Sequence, residues 1–266
     1  MNHKKGAYNM EKKYFFFDID GTLTDRSNHQ VVPSALETLH QLEKNGHFVA
    51  IATGRAHYKA EKFTKANGFS NMVCNGGNGL VIHNEFVENI PLDTEGCRKI
   101  IHQAEELGYG WCAAVDDTKD VYMTDDLFLR QVGKRKEPTR YIIDDALNVD
   151  EMDHFLKIYV AVPKEEEERL TSKELIGHLR FEPEYLMFQP DNKRGGILKM
   201  MERLHGDIKD VVVFGDDYND LDMFCPEWFS IAMGNGCQEL KDAADYVTET
   251  NLNDGIQKAC RHFGWI

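Results

Sequence analysis

A short aromatic strand that runs directly into acidic residues limits what this chain can fold into. Residues 14 to 17 read YFFF, and they are followed at once by Asp18, Ile19, Asp20 and Gly21. Side chains two positions apart on a strand point to the same face, so Asp18 and Asp20 can converge while Ile19 packs the other way. Gly21 permits a tight turn. The run predicts a buried strand that delivers two carboxylates to one point.

Two other interpretations of this acidic turn fit the sequence less well. A solvated surface turn leaves unexplained why a nearly uncharged aromatic strand runs straight into acids, which need compensation when they are buried. A calcium loop of the EF-hand type has its glycine at the sixth position and follows a helix, whereas Gly21 is fourth from Asp18 and follows a strand. We therefore expect a cation or a reactive centre at this strand end.

Strands and helices alternate in the first part of the chain. A helix opened by Ser34 and Ala35 and stopped by Gly46 is followed by a strand over 47 to 53, a helix ending near Gly68 and the strand NMVCN. The same rhythm returns after Lys193, with the strands 210 to 215, FSIAMG and YVTE separated by helices. This alternation predicts a parallel sheet with right-handed crossovers, an α/β fold with a Rossmann-like core.

The pattern changes between these two blocks. From about 84 to 190, short strands joined by turn residues dominate, with few helices, as in an inserted α+β domain. We predict a core formed by residues 1–83 and 191–266, with 84–190 as the insertion and the first ten residues disordered. The runs Lys134 to Lys136, which include Arg135, and 165 to 168 are expected to be solvated.

Composition narrows the class of function. The 266 residues include 45 acidic and 31 basic side chains, a net charge of -14, which argues against nucleic acid as a partner. The six cysteines show no CxxC spacing, so neither a zinc site nor a disulfide framework is expected. The polar start and the lack of a long apolar run predict a cytoplasmic protein without a membrane partner.

Two further strand ends carry polar residues. The strand HFVAIAT ends in Thr53, Gly54 and Arg55. The apolar run VVVF hands over to a polar cluster formed by Gly215, Asp216, Asp217, Asn219 and Asp220. A buried parallel strand that ends in GDxxND again concentrates acids at a carboxyl end. Thr53 taken alone also fits a hydroxyl that caps the next helix.

Together these motifs resemble those of the haloacid dehalogenase-like superfamily. Its DxDx(T/V) motif matches residues 18 to 22, and IATGR and GDDYND match its second and fourth motifs. The third motif, a basic residue that opens a helix, matches Lys193, with the adjacent Arg194 as the alternative. The insertion resembles the large cap of the Cof-type sugar-phosphatase branch, whose NGA turn is matched by Asn75 and Gly76 but has Gly77 in place of alanine.

The resemblance implies a Mg²⁺-dependent phosphomonoester hydrolase. In such an enzyme Asp18 attacks phosphorus to form an aspartyl-phosphate, Asp20 acts as acid and base, and Lys193 neutralises charge. The implied metal site uses Asp18, the backbone carbonyl of Asp20 and Asp216, assisted by Asn219 and by Asp220, which alternatively orients Lys193. The implied substrate contacts are Thr53, Gly54, Arg55, Asn75, Gly76 and Asn219. No role is assigned to Asp217.

The implied partner is a small phosphorylated metabolite, such as a sugar phosphate, bound by a monomer or weak homodimer. The cap is expected to choose the substrate. A phosphomutase shares the aspartyl-phosphate and the acid/base residue, so it stays open as an alternative. A catalytically silent regulator that binds a phosphorylated metabolite is a further alternative, which the complete set of Asp18, Asp20, Lys193 and Asp216 disfavours.

Overall fold

The structure is a computed structural model that describes residues 11–135 and 139–266, so the predicted disorder of the first ten residues lies outside the described part. Within these ranges the larger sheet has eight strands in the order β14-β13-β12-β1-β2-β3-β4-β5. Its strands are β1 (Tyr14–Phe17), β2 (Phe48–Ala52), β3 (Met72–Cys74), β4 (Gly79–Ile82), β5 (Glu85–Asn89), β12 (Val211–Gly215), β13 (Phe229–Ala232) and β14 (Tyr246–Val247).

Helices cover both faces of this sheet. The helices of the described chain are α1 (Pro33–Lys44), α2 (His57–Asn67), α3 (Thr94–Glu106), α4 (Leu127–Val132), α5 (Lys193–Leu204), α6 (Gln238–Ala243) and α7 (Gly255–His262). Phe15 and Phe17 of β1 pack in one buried cluster with residues of α1, α2 and α7, whereas Phe16 packs in another with residues of α5 and α6. This alternation along β1 explains why a fully apolar strand is required at the centre of the sheet.

The predicted parallel core is confirmed in the part of the sheet from β14 to β3, where all neighbouring strands pair in parallel. Two differences appear. The short helix expected after β12 is a 3₁₀ segment, Tyr218–Met223. Moreover, β4 and β5 extend the sheet as antiparallel strands. The predicted boundary between residues 83 and 84 is therefore too early, because the core sheet continues through Asn89.

The insertion forms a second sheet with helix α3 packed against it. In the described ranges this sheet has six strands in the order β10-β11-β9-β6-β7-β8. Its strands are β6 (Trp111–Ala114), β7 (Asp120–Met123), β8 (Arg140–Ile143), β9 (Lys157–Val160), β10 (His178–Glu182) and β11 (Tyr185–Phe188). All neighbours pair antiparallel except β7 and β8, which are parallel. This sheet and its helices are called the cap below.

One predicted surface run is partly wrong. Lys134 is exposed and Lys136 lies outside the described residues, but Arg135 is partly buried, with its guanidinium 3.8 Å from the centre of the Tyr159 ring. The other run lies in the 3₁₀ segment Lys164–Arg169, which has no buried residue, as expected. Among the described helices none has the length and apolar character needed to cross a bilayer. The cytoplasmic location stays a prediction.

Candidate active site

Asp18 lies directly after β1 and is held by a lysine from a distant part of the chain. Its Oδ1 accepts a hydrogen bond of 2.8 Å from Lys193 Nζ, which also donates to Asp220 Oδ1 at 2.5 Å. All three residues are buried. Burial alone would lower the pKa of Lys193, but Asp18 and Asp220 raise it above its usual value. The lysine is therefore a fixed cation between two carboxylates.

A glycine-rich turn places Lys193 at the first position of α5. The amide N–H of Asn192, the residue before it, donates to Gly76 O at 2.8 Å, and the Asn192 side chain caps α5 by accepting from Gly195 N–H at 2.9 Å. Gly76 has a φ of +61°, and a Cβ on it would lie 1.9 Å from Pro190 O. A Cβ on Gly77 would lie 1.9 Å from Asn192 O. Only glycine allows this approach.

Arg194, the alternative to Lys193, points elsewhere. Its guanidinium pairs with Glu227, its backbone N–H donates to Asp222 Oδ2 at 2.8 Å, and its side chain is 42% exposed. It makes no contact with Asp18 or Asp220 among the hydrogen bonds and ion pairs of the described residues. The geometry thus favours Lys193 over Arg194 as the cation beside Asp18.

Asp216 follows β12 and is buried beside Asp18's turn. Thr22 Oγ1 donates to its Oδ1 at 3.0 Å, while Arg26 donates to its Oδ2 at 2.8 Å. Gly21 has a φ of +96°, and a Cβ there would lie 2.1 Å from Asp216 Oδ2. The tight turn expected at Gly21 is therefore also what lets Asp216 approach. Arg26 also donates to Asp217 at 2.7 Å.

The Asp220 side chain stabilises the loop after β12. Its Oδ2 accepts from the backbone N–H groups of Asp216 and Asp217, at 2.9 and 3.1 Å, while its Oδ1 accepts from Lys193. Both of its oxygens are thus engaged within the protein. This geometry favours the orienting role for Asp220 over that of a direct metal ligand.

The acidic cluster suits a hard divalent cation. Among the described residues, Asp18, Asp216 and Asp220 each offer one oxygen, and these oxygens lie within 4.8 Å of one another. Burial, together with Asp220, raises the pKa of Asp18 to about 8, and burial raises that of Asp216 to about 6. A bound cation would favour the ionised carboxylates again. Carboxylate oxygens are the ligands that Mg²⁺ prefers, so the residues present fit this ion.

Asp20 lies at the open side of the site and is paired with Arg55. Arg55 Nε donates to Asp20 Oδ2 at 3.0 Å, and Arg55 Nη2 donates to Oδ1 at 2.5 Å. The Asp20 side chain is 47% exposed. The arginine predicted to bind substrate therefore contacts the carboxylate predicted to transfer protons.

The other predicted substrate contacts are distributed around this edge. Thr53 is buried and its Oγ1 accepts from Arg55 N–H at 3.2 Å, whereas α2 begins after Ala56 without a side-chain cap, so Thr53 does not cap α2. A Cβ on Gly54 would lie 3.2 Å from Gln189 Nε2. Asn75 Nδ2 donates to Asn89 Oδ1 at 2.7 Å.

Asn219 lies in the 3₁₀ segment after β12 and is partly buried. Its side chain makes no hydrogen bond with the described residues. The structure thus gathers Asp18, Asp216, Asp220 and Lys193 into one cluster. Asp20 and Arg55 form a separate pair beside it, whereas Asn75 and Gly76 make structural contacts.

Sequence reasoning did not identify two residues that contact Asp216. Arg26 lies in the polar run TDRSNHQ, where nothing distinguishes a solvated arginine from one that folds back. Asn235 follows β13 and donates to Gly21 O at 2.9 Å and to Asp216 Oδ2 at 3.3 Å. The rule applied to the other strands, that polar residues at carboxyl ends meet, would have identified Asn235.

Comparison with known proteins gives consistent similarities. Residues 15–260 match the family of haloacid dehalogenase-like hydrolases. A Bacillus subtilis protein, YkrA, whose name describes it provisionally as a phosphatase, is 31% identical over 260 residues, which cover 97% of this chain and 100% of YkrA.

Solved structures share the architecture. A hypothetical protein from Geobacillus kaustophilus superposes with a TM-score of 0.79 at 27% identity, over 96% of this chain and 100% of that protein. The sugar phosphatase BT4131, described as subclass IIB of the same superfamily, superposes with a TM-score of 0.76 at 24% identity, over 96% of this chain and 100% of its own. At this identity the second similarity concerns the fold alone.

Proposed function

The chain belongs to the Cof-type branch of the haloacid dehalogenase-like hydrolase family and is a phosphatase of that family. From this premise we propose that it is a Mg²⁺-dependent phosphomonoester hydrolase, which acts through an aspartyl-phosphate on a sugar phosphate or similar metabolite. The observation that carries the proposal is the buried Asp18 carboxylate, fixed by Lys193 Nζ at 2.8 Å within a cluster of acids. A sugar phosphate is proposed as the substrate class because the chain belongs to the Cof-type branch, which is the sugar-phosphatase branch of the family.

Asp18 is proposed as the nucleophile because only one of its oxygens is engaged. Oδ1 accepts from Lys193, while Oδ2 accepts no hydrogen bond from the described residues. A carboxylate held on one oxygen is oriented, and its other oxygen stays available to attack phosphorus. Lys193 in turn is oriented by Asp220 at 2.5 Å. Its charge also opposes the repulsion between the carboxylate and a phosphate dianion.

In the proposed metal site, Mg²⁺ would be held by Asp18, Asp216 and the backbone carbonyl of Asp20, with Asn219 nearby and Asp220 in support. When bound, Mg²⁺ neutralises charge on the phosphoryl group. Thr22 and Asn235 hold the Asp216 carboxylate in place by hydrogen bonds of 3.0 and 3.3 Å. A fixed carboxylate needs little reorganisation when a cation binds.

We assign proton transfer to Asp20, whose ion pair with Arg55 would keep it from this role until a phosphate binds. Arg55 donates two hydrogen bonds to Asp20. An incoming phosphate offers Arg55 a second anionic partner with the same bidentate geometry. Transfer of Arg55 to the phosphate would free the Asp20 carboxylate to take up a proton from solvent, to pass that proton to the leaving oxygen, and later to take a proton from the attacking water. Thr53 and the backbone around Gly54 would bind phosphoryl oxygens.

The test is phosphate release by the purified chain. We expect the wild-type chain to hydrolyse p-nitrophenyl phosphate with Mg²⁺ and the Asp18→Asn variant to show almost no hydrolysis. Among a panel of phosphorylated metabolites, the wild-type chain should prefer some compounds over others. With hexose 1-phosphate, a hydrolase yields free hexose and phosphate, whereas a phosphomutase yields an isomeric hexose phosphate. Absence of phosphate release from every compound at saturating Mg²⁺ would contradict the proposed function.

A further inference from the structure

A cavity lies between the core and the cap, beside the carboxyl ends of β2 and β3. Its core wall includes Tyr58 and Lys59 of α2 and Asn75 after β3, and its cap wall includes Arg135 and Lys157. Ala56, which lines the cavity, directly follows Arg55, so the cavity adjoins the chain segment whose Arg55 pairs with Asp20. A substrate bound at Asp18 would extend toward this space.

Lys157 of β9 is an unusual group in this wall. It is only 9% exposed, and its ammonium forms no hydrogen bond or ion pair with residues 11–135 or 139–266. Burial, with the nearby charges of Lys59 and Arg135, lowers the pKa of Lys157 to about 7. A buried ammonium without a partner is costly. A bound anion would supply the missing partner and would favour the charged form of Lys157.

Arg135 adds a second unmet donor to the same wall. Its guanidinium lies over the Tyr159 ring, and Nη2 donates to Thr139 Oγ1 at 2.8 Å. Its Nε is buried and has no hydrogen-bond partner among the described residues. Stacking on Tyr159 fixes the plane of the guanidinium, which leaves it oriented for a carboxylate or phosphate.

The acidic residues that line the cavity do not pair with Lys157 or Arg135, because each has another partner. Asp117 Oδ2 lies 2.5 Å from His57 Nδ1, and Asp117 Oδ1 accepts from Tyr58 N–H at 2.9 Å. Asp120 accepts two hydrogen bonds from Arg140. Asp116 accepts from the Thr118 hydroxyl at 2.6 Å and is exposed. Within the described chain, the Lys157 ammonium and the Arg135 Nε therefore have no acidic partner in this cavity.

We propose that the cavity is an anion subsite in which Lys157 and Arg135, with Lys59 nearby, bind a second anionic group of the substrate. The inference rests on the proposed function and deepens it. It assigns the substrate to phosphomonoesters that carry a carboxylate or another phosphate at the end remote from the scissile bond, such as phosphorylated sugar acids or sugar bisphosphates. Neutral sugar phosphates lack the group that this wall recognises.

Phosphonates test the subsite without knowledge of the natural substrate. Three series of several chain lengths are compared: alkylphosphonates, phosphonocarboxylates with a terminal carboxylate, and bisphosphonates with a terminal phosphonate. Each is measured as a competitive inhibitor of p-nitrophenyl phosphate hydrolysis and, independently, by calorimetry with Mg²⁺ present. A charge-assisted contact in a dehydrated site should make one terminal anion bind about tenfold tighter or more than the alkylphosphonate of equal length.

The measured quantity is the affinity for the compound with a terminal anion divided by the affinity for the alkylphosphonate of equal length. This affinity ratio is compared across variants. It should be lost in Lys157→Met and Lys157→Gln, two neutral replacements of which either suffices if the other does not fold. The matched control is Lys173→Met, which removes another buried cap lysine, 7% exposed, whose ammonium already pairs with Glu174 at 3.0 Å and Glu168 at 3.3 Å. The ratio should persist there.

The results distinguish failure of the anion subsite from failure of the proposed function. Of the carboxylate and bisphosphonate series, the one with the larger affinity ratio identifies the terminal anionic group that the subsite binds. Equal affinity of all three series at every length, or a ratio that persists in folded Lys157→Met, overturns the subsite while hydrolysis of p-nitrophenyl phosphate still stands. Failure of that hydrolysis in the wild type contradicts the proposed function instead, whereas the calorimetric ratio continues to report on the subsite.

Discussion

At the scale of single residues, the proposed attack on phosphorus depends on one oxygen of Asp18. Asp18→Asn keeps the shape of the side chain but removes the attacking carboxylate. We expect a loss of about four decades in turnover, which corresponds to roughly 5.5 kcal/mol of barrier. Lys193 keeps Asp220 as a partner, so the fold should survive. Phosphate release and thermal unfolding measure the two effects. A purified variant with a tenth of the wild-type rate contradicts the assignment.

Lys193 and Arg194 are adjacent cations whose contacts differ, which makes them a matched pair. Lys193→Met leaves Asp18 and Asp220 facing each other without a counter-charge, and we expect kcat to fall about a thousandfold, a typical effect of losing a preorganised charge. Arg194→Met removes a partly exposed side chain paired with Glu227, so kcat should stay close to the wild type. Equal losses in the two variants would contradict the role of Lys193.

Metal binding can be assigned with a second matched pair, Asp216 and Asp217, because Arg26 contacts both. Only Asp216 is buried beside Asp18. Excess EDTA should abolish activity and added Mg²⁺ should restore it. Asp216→Ala should weaken Mg²⁺ binding, measured by calorimetry, whereas Asp217→Ala should change it little. Unchanged Mg²⁺ affinity in Asp216→Ala removes this residue from the metal site.

The sequence was informative at this scale where a residue type and a strand end coincided. Asp18, Asp216 and Lys193 were identified because motifs place them at the ends or starts of elements, and the structure brings them together. Arg26 and Arg135 carry no such signal, since their environment is created by chain segments that are remote in sequence. From the sequence, an arginine beside Lys134 in a charged run is expected to be solvated. In the structure, Arg135 instead lies over the ring of Tyr159, which belongs to another segment of the chain.

At the scale of elements, the glycine turn after β3 supports the start of α5 and thereby Lys193. Gly76→Ala adds a Cβ 1.9 Å from Pro190 O at a φ of +61°, so the turn and the chain before α5 must separate. Gly108→Ala is the control, because its φ is +78° but nothing lies within 4 Å of a Cβ there.

Both glycine variants incur backbone strain of about 1 kcal/mol or more, but only Gly76→Ala should also lower kcat by displacing Lys193. Urea unfolding and p-nitrophenyl phosphate turnover separate the two effects. If the two variants lose equal stability and both keep wild-type turnover, the turn does not position Lys193.

Elements with strong apolar patterns were predictable and weakly patterned ones were not. The central strands β1, β2 and β12 are buried along their whole length, which produces unbroken apolar runs. Strand β5 is EFVEN with its first three residues exposed, so its sequence resembles a polar connection. Its place is fixed by pairing with β4, and that pairing leaves no periodic trace in an edge strand. This is why the predicted core boundary falls too early.

At the scale of the whole molecule, the relation of cap to core rests on contacts that no local pattern reveals. Asp117 of the cap contacts His57 and the N–H of Tyr58 at the start of α2. His57 also stacks on Phe86 of β5, with ring centres 3.8 Å apart. These contacts place the cationic wall of the cavity opposite the core strand ends, a juxtaposition of segments about 60 to 100 residues apart.

Both ends of the cap attach to the same turn of the core, which allows a clean deletion. Ile90 N–H donates to Asn78 O and Asn192 N–H donates to Gly76 O, each at 2.8 Å. Replacing residues 91–189 with a short Gly/Ser linker therefore joins two neighbouring points and leaves β5 in the sheet. A deletion that began at residue 84 would remove β5 and expose β4 as a new edge.

The cap-deleted core should still bind Mg²⁺ and should lose substrate selectivity. Every residue assigned to chemistry lies outside the deletion, so we expect Mg²⁺ binding by calorimetry and slow hydrolysis of p-nitrophenyl phosphate. The deletion removes the proposed exclusion of water by the cap and the cavity wall that includes Lys157, so kcat/KM for metabolites should fall and become similar across the panel. Newly exposed apolar surface will lower solubility. A folded core with the substrate ranking of the full chain would show that selectivity resides at the strand ends alone.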